Sequence, residues 1–307
     1  MKKIKALLGV SVLLSGMMLG ISSCDTNDDA MPATKDVVDV ALADSRFSTL
    51  TKLLTDNGLV STLKGTGPFT VFAPTNDAFA KIDASKLTNA ELVNILKSHV
   101  VSGRVLAADV KSGVATSLGS SIYLSKNSTG VFINGNSQVT TADVSASNGI
   151  IHIIDNVIVP PTKSLVEIAQ GDPNFSELVS LVLAADASVV TALSSASANG
   201  LTVFAPTNAA FTELYKTTPK ATLLAPANKA LLTSVLLYHV VPGRVFSSDL
   251  PNVSGEVSTA NTAAKLTFDL AGGAKVKGKS SGNSNITAVN ILGTNGVVHV
   301  IDKVLLP

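Results

Sequence analysis

The chain has 307 residues, 23 basic against 22 acidic side chains, 46% hydrophobic and only 4% aromatic residues, and a single cysteine. That charge balance provides neither a nucleic-acid footprint nor a polybasic membrane patch. One cysteine excludes a disulfide framework, so the fold has to stand on apolar burial.

In chain order the first feature is an export signal. Lys2, Lys3 and Lys5 precede an uncharged apolar run from Ala6 to Ile21, and Ser22 and Ser23 lead into Cys24. A basic start, a short apolar core and small residues at the cut predict a signal peptide over residues 1–23. The run is too short, and too soon followed by acids, for a comfortable membrane span. Small residues directly before a cysteine resemble the bacterial lipoprotein signal. That resemblance implies that Cys24 is acylated and becomes the first mature residue, carrying three chains where a single chain would hold only marginally. Cleavage there leaves 20 basic against 22 acidic residues. Asp25 to Thr34 is polar and aperiodic, so residues 24–35 read as a flexible tether. Acids behind the cysteine resemble a surface-export signal, although aspartate there also matches an inner-membrane retention signal. The expected location is the cell envelope, at the outer membrane.

The remainder is a duplication, the feature that fixes domain count before any local structure. The phrase from Phe69 to Phe79 returns as Leu201 to Phe211, that from His99 to Val105 as His239 to Val245, and that from Asn148 to Pro160 as Asn295 to Pro307. Two domains follow, 36–160 and 161–307, joined by the stiff Pro160-Pro161-Thr162.

Each copy opens with helical spacing. Val37, Val40 and Ala41, then Phe47, Leu50, Leu53 and Leu54, recur at three- and four-residue steps, matched by Leu165, Ile168 and Ala169, then Phe175, Leu178, Leu181 and Val182. A short strand over Thr70–Phe72, or Thr202–Phe204, ends at a proline, which cannot donate to a sheet ladder. Thr75 and Asn76, or Thr207 and Asn208, supply oxygens to cap the next helix. Thr88 and Glu91 form a capping box for a helix whose face carries Leu92, Ile95, Leu96 and His99. Leu232, Val235, Leu236 and His239 repeat that face.

The last third changes to period two. Ile122 and Leu124, then Val131 and Ile133, predict a hairpin, as do Leu266, Phe268 and Leu270 with Ala274 and Val276. Asn148-Gly149 and Asn295-Gly296 favour positive φ and predict tight turns. Ile150–Ile154 and Val157–Val159 read as central buried strands. Helices first and antiparallel strands later make the class α+β. The offset between copies grows from 132 to 140 to 147 residues, with the additions in Lys216–Lys229 and Leu250–Ala264, where surface connections absorb length cheaply.

The three ordered blocks resemble the fasciclin-like domain family, whose two signature boxes match the first and third and whose intervening block matches the second. The resemblance runs over roughly 36–307. It implies two tandem fasciclin-like domains, each a β-sandwich or wedge with a helical layer, in a protein that adheres to an extracellular or envelope protein, matrix or glycan rather than catalysing a reaction. A Tyr-His pair before the second block is tied to receptor binding in animal members. It corresponds to Tyr238 and His239 here, with Ser98 and His99 in the first copy. These four are the candidate binding residues. The first box also departs at Asp77, replaced by Ala209.

Chemistry finds little else. The four histidines, His99, His152, His239 and His299, lie among aliphatic residues and read as satisfied core groups. No metal-ligand spacing, nucleophile elbow or phosphate loop is present, so no metal, cofactor or catalytic residue is expected. Arg104 and Arg244 could be ligand contacts at the domain edge, but a repeated Gly-Arg after a helix reads more often as a C-terminal cap, with Asp155 and Asp302 as intradomain partners. Low aromatic content ranks protein or matrix partners above glycans. The expected function is a lipid-anchored adhesion or binding protein. The alternatives are a weak hydrolase or small-molecule processing accessory, and a structural spacer.

Overall fold

The computed structural model describes residues 35–194 and 199–307. The expected signal peptide, Cys24 and the tether up to residue 34 lie outside the described residues. In the first domain Asp36 caps α1 (Val37–Leu42), followed by α2 (Ser48–Asp56), α3 (Val60–Leu63), β1 (Phe69–Pro74), α4 (Asn76–Ala80) and α5 (Asn89–Ser98). Strands β2 (Val100–Ser102), β3 (Gly113–Thr116), β4 (Ser121–Asn127), β5 (Gly130–Ile133), β6 (Ser137–Ala146) and β7 (Gly149–Ile154) complete it. The threonine caps are those the sequence predicts, whereas Asn76 and Asn208 take the Thr49 and Glu177 amides at the starts of the earlier helices over Ser48–Asp56 and Ser176–Ala184 rather than capping the next helix. Thr75 Oγ1 accepts the Ala78 amide, while Thr88 and Glu91 bond reciprocally to each other's backbone N–H. Each cap satisfies amides that a helix start leaves open.

The seven strands are ordered β2-β1-β7-β6-β5-β4-β3, antiparallel except for β1 against β7. Strand β6 shifts register twice against β7, and such bulges bend a strand. The sheet doubles back far enough for Val101 to bridge Ser117 and for the Leu118 amide to reach the Val100 carbonyl at 2.8 Å. The result is a wedge with two cores. Phe47, Leu50, Leu54, Leu96, Ile151 and Ile153 fill the space beneath the helices. Phe72, Ile122, Ile133, Ile154 and Ile158 fill the fold of the sheet. Strand β7 is buried at every residue because its alternate side chains serve the two cores.

The second domain repeats the plan. Helices α6 (Leu165–Gly171), α7 (Ser176–Ala184) and α8 (Ala187–Ser194) precede β8 (Leu201–Pro206), α9 (Asn208–Tyr215), α10 (Lys220–Leu223) and α11 (Lys229–Tyr238). Then come β9 (Val240–Pro242), β10 (Val257–Ser258), β11 (Lys265–Asp269), β12 (Lys275–Gly278), β13 (Gly282–Gly293) and β14 (Gly296–Ile301), in the order β10-β11-β12-β13-β14-β8-β9. Of the two added stretches, one carries α10 and the other β10, and each buries a leucine, Leu223 and Leu250.

Two local expectations are corrected. Neither Asn148-Gly149 nor Asn295-Gly296 adopts positive φ. The asparagines act through their side chains instead. Asn148 accepts the Val37 amide at 3.0 Å and donates to the Leu63 and Gly65 carbonyls at 2.8 and 2.9 Å. Asn295 does the same for Leu165 and Leu193. The glycines are required because a Cβ at Gly149 or Gly296 would strike the carbonyl oxygen of Phe69 or Leu201 on the parallel strand. Secondly, Val157–Val159 is irregular rather than a strand. Val157 and Ile158 are buried, but the Ile158 amide is taken by a histidine ring instead of a neighbouring strand.

Candidate functional site

The repeated polar residues come together as struts, not as a cleft. His99 ends α5, and its Nδ1 lies 2.7 Å from the Ile95 carbonyl while its Nε2 accepts the Ile158 amide at 2.9 Å. His239 makes the same pair with Val235 (2.8 Å) and Leu305 (2.9 Å). Because Nε2 accepts an N–H, the proton sits on Nδ1 and the ring is neutral. Burial pushes both rings down to about 4, against the opposing pull of the carbonyl contact. His152 and His299 are held between strands. Nε2 meets the Val105 or Val245 carbonyl at 2.8 Å, and Nδ1 accepts the Asp143 or Asn290 amide. No imidazole keeps a free nitrogen for a metal or a reacting proton. Among the described residues no group of three His, Cys, Asp or Glu side chains could hold a metal ion.

The other candidates are equally internal. Tyr238 is fully buried, donating to the Lys265 carbonyl at 2.6 Å and accepting the Lys279 amide at 2.9 Å. Burial raises its phenol. Ser98, also fully buried, bonds the Asn94 carbonyl and the Ser120 hydroxyl. A partner has no access to Tyr238, His239, Ser98 or His99 while the domains are folded. The arginine expectation is corrected as well. Gly103-Arg104 and Gly243-Arg244 follow β2 and β9 rather than capping a helix. Asp155 accepts from Gln138 and Asn156, and Asp302 from Asn285 and Ser284. Arg104 reaches Ser145, whereas Arg244 crosses to the other domain.

That crossing is the centre of the interdomain contact. The Arg244 guanidinium lies 4.4 Å from the centre of the Tyr123 ring, donates to its hydroxyl, and bonds the Thr294 carbonyl at 2.7 Å. Its other side rests on Gly200, where a Cβ would come within 2.7 Å of it. Phe246 packs beside Tyr123 with ring centres 5.7 Å apart. Side-chain amides complete the seam. Asn127 donates to the Ser248 carbonyl, Asn252 to Lys126, Asn136 to Asn290, and Asn290 to Gly135. Beside the seam is an open concavity of about 530 Å³, lined by Val114, Tyr123, Asn199, Arg244, Asp249 and Asn252. A cleft of a few hundred Å³ between domains, apolar with a few polar groups, is the usual setting of a ligand site. Of these residues sequence reasoning singled out only Arg244, and missed the rest. The signal lay in the differences between copies: Tyr123 faces Thr267 in alignment, and Asn290 stands where the first copy has Asp143.

The family model described as Fasciclin domain matches residues 45–160 and 173–307. The chain belongs to the fasciclin-domain family. Protein sll1483 of Synechocystis is 39% identical over 158 residues, covering 49% of this chain and 88% of that protein. Transforming growth factor-beta-induced protein ig-h3 of Sus scrofa is 29% identical over 85% of this chain, and periostin of Homo sapiens 30% identical over 87%. The chain spans only 38% and 31% of the length of these two animal proteins. Among solved structures, a FAS1 domain pair from the insect cell adhesion molecule Fasciclin I aligns with a TM-score of 0.44 at 19% identity, over 86% of this chain and 97% of that one.

Proposed function

We propose that this fasciclin-domain chain is an adhesion or binding protein of the cell envelope. In this reading acylated Cys24 anchors it at the outer membrane, and the two-domain unit meets a protein or matrix partner, with glycans second. The observation that carries the reading is that all four imidazoles have both ring nitrogens engaged with backbone in both copies. The groups best suited to acid–base or metal chemistry therefore serve the fold. Recognition falls to surfaces where the copies differ, and the cleft at Tyr123 and Arg244 is one that both domains build. The Arg244 guanidinium covers a face of the Tyr123 ring, which leaves that face closed to sugar stacking and favours a peptide or protein contact.

The test is affinity capture from intact cell envelopes and matrix extracts with the full chain, wild type beside Val114→Asp. Val114 is half exposed at the cleft, opposite Tyr123 on the neighbouring strand, and far-UV circular dichroism is expected to show the variant folded like the wild type. A partner retained by wild type and lost with Val114→Asp is the expected result. Capture that ignores the cleft variant moves the site elsewhere, and turnover of a substrate lost with the histidines would replace binding by catalysis. The anchor is tested separately: labelled palmitate enters wild type and not Cys24→Ala.

A further inference from the structure

The two domains share one helical layer plan but fill it differently. Beneath α6, α7 and α8 of the second domain is a cavity of about 110 Å³, walled by side chains such as Phe175, Leu178, Val182, Val189, Val203 and Val298. In the first domain the pocket at Leu54, Leu59, Leu63 and Leu96, the counterparts of Val182, Val189, Leu193 and Leu236 on the cavity wall, holds about 10 Å³. The sequence accounts for the difference. Val182 stands where the first copy has Leu54, Val189 where it has Leu59, and Val298 where it has Ile151. Each exchange removes one methylene. Leu165 and Ile168 are larger than their counterparts Val37 and Val40 and also border the cavity, yet the space stays open.

A void of this kind is costly, because its walls lose dispersion contacts that nothing replaces. The walls are apolar, and the one imidazole among them, His239, has both nitrogens engaged. Water would find no partner there. Apolar cavities of about 150 Å³ stay dry and take up benzene or xenon. Gln170 and Leu183 border the cavity and are exposed, giving a ligand a way in. We infer that the second domain binds a neutral hydrocarbon group of about benzene's size in this cavity, and that the first domain does not. The group is either a free small molecule or the end of an alkyl chain whose polar head stays at the Gln170 rim.

The experiment uses the full chain and ¹⁹F NMR with fluorobenzene, and repeats the titration with decanoate as competitor. The variant Val182→Leu + Val189→Leu + Val298→Ile installs the first copy's own side chains, and Val298→Ile alone is the milder companion. Saturable fluorobenzene binding, at least tenfold weaker in the triple variant and intermediate in the single one, is the expected result. Competition by decanoate assigns the site to chain ends, and its absence assigns it to free hydrocarbons. No saturable binding of either probe to wild type overturns the inference. So does binding of equal strength to the single variant and wild type, a comparison that holds even if the triple variant misfolds.

Discussion

At the scale of single residues, His99 and His239 carry a pH dependence whose sign is fixed. Burial holds both near 4 when folded, while an unfolded histidine titrates near 6.5. Their neutral state costs nothing above about pH 6.5. Below it the unfolded chain takes up protons that the folded chain refuses, so stability falls as the pH drops towards 4. By pH 5 the loss is roughly 2 kcal/mol for each ring, and His299, also lowered by burial, adds in the same direction. Urea melts at pH 7.5 and 5 are expected to show a large drop in midpoint, much reduced in His99→Gln + His239→Gln. Equal midpoints for wild type at the two pH values would contradict the buried neutral rings. Removing a ring altogether is worse. His99→Ala strands the Ile95 carbonyl and the Ile158 amide, and two orphaned buried groups cost roughly 2–6 kcal/mol. Differential scanning calorimetry at neutral pH measures it.

At the scale of elements, the caps are separable from the tertiary ties. Thr88→Ala loses one N-cap bond of α5 and is expected to cost about 1 kcal/mol. Asn148→Ala orphans three backbone groups belonging to α1 and the end of α3, and roughly 3 kcal/mol or more is expected. Chemical denaturation of the two variants side by side tests the ranking, and an Asn148→Ala chain as stable as Thr88→Ala would refute it. The same contrast explains what was legible. Helix starts such as Thr88 with Glu91, and the alternation of Ile122, Leu124, Val131 and Ile133, are local signals that the chain spells out within a few residues. The role of Asn148 is not local, since its partners lie 83 to 111 residues away. Val157–Val159 looked like a strand because burial alone produces an aliphatic run. Its Ile158 amide is instead taken by the His99 ring, 59 residues earlier.

At the scale of the molecule, duplication made the two domains plain but concealed how they meet, because the contact uses positions that depart from the repeat. Asn290 is the sharpest case. It and Asp143 occupy the same left-handed bulge position, with φ of 60° and 62°. Asp143 accepts from the Ala107 amide on an exposed face, whereas Asn290 is buried, accepting from Ser247 and donating across the seam to Gly135. A carboxylate can accept but has no proton to give, and an unpaired charge is expensive to bury. Asn290→Asp is therefore expected to separate the domains while each stays folded. Small-angle X-ray scattering should show a larger radius of gyration, with far-UV circular dichroism unchanged. Asp143→Asn, the reverse exchange on the open face, is expected to alter neither. Tyr123→Ala, which removes the ring under Arg244, should reproduce the expansion, since the guanidinium then loses both its cation–π contact and the hydroxyl. A compact Asn290→Asp chain would mean that the Arg244 and Tyr123 contact and the amides of Asn127, Asn136 and Asn252 hold the seam without the Asn290 bond.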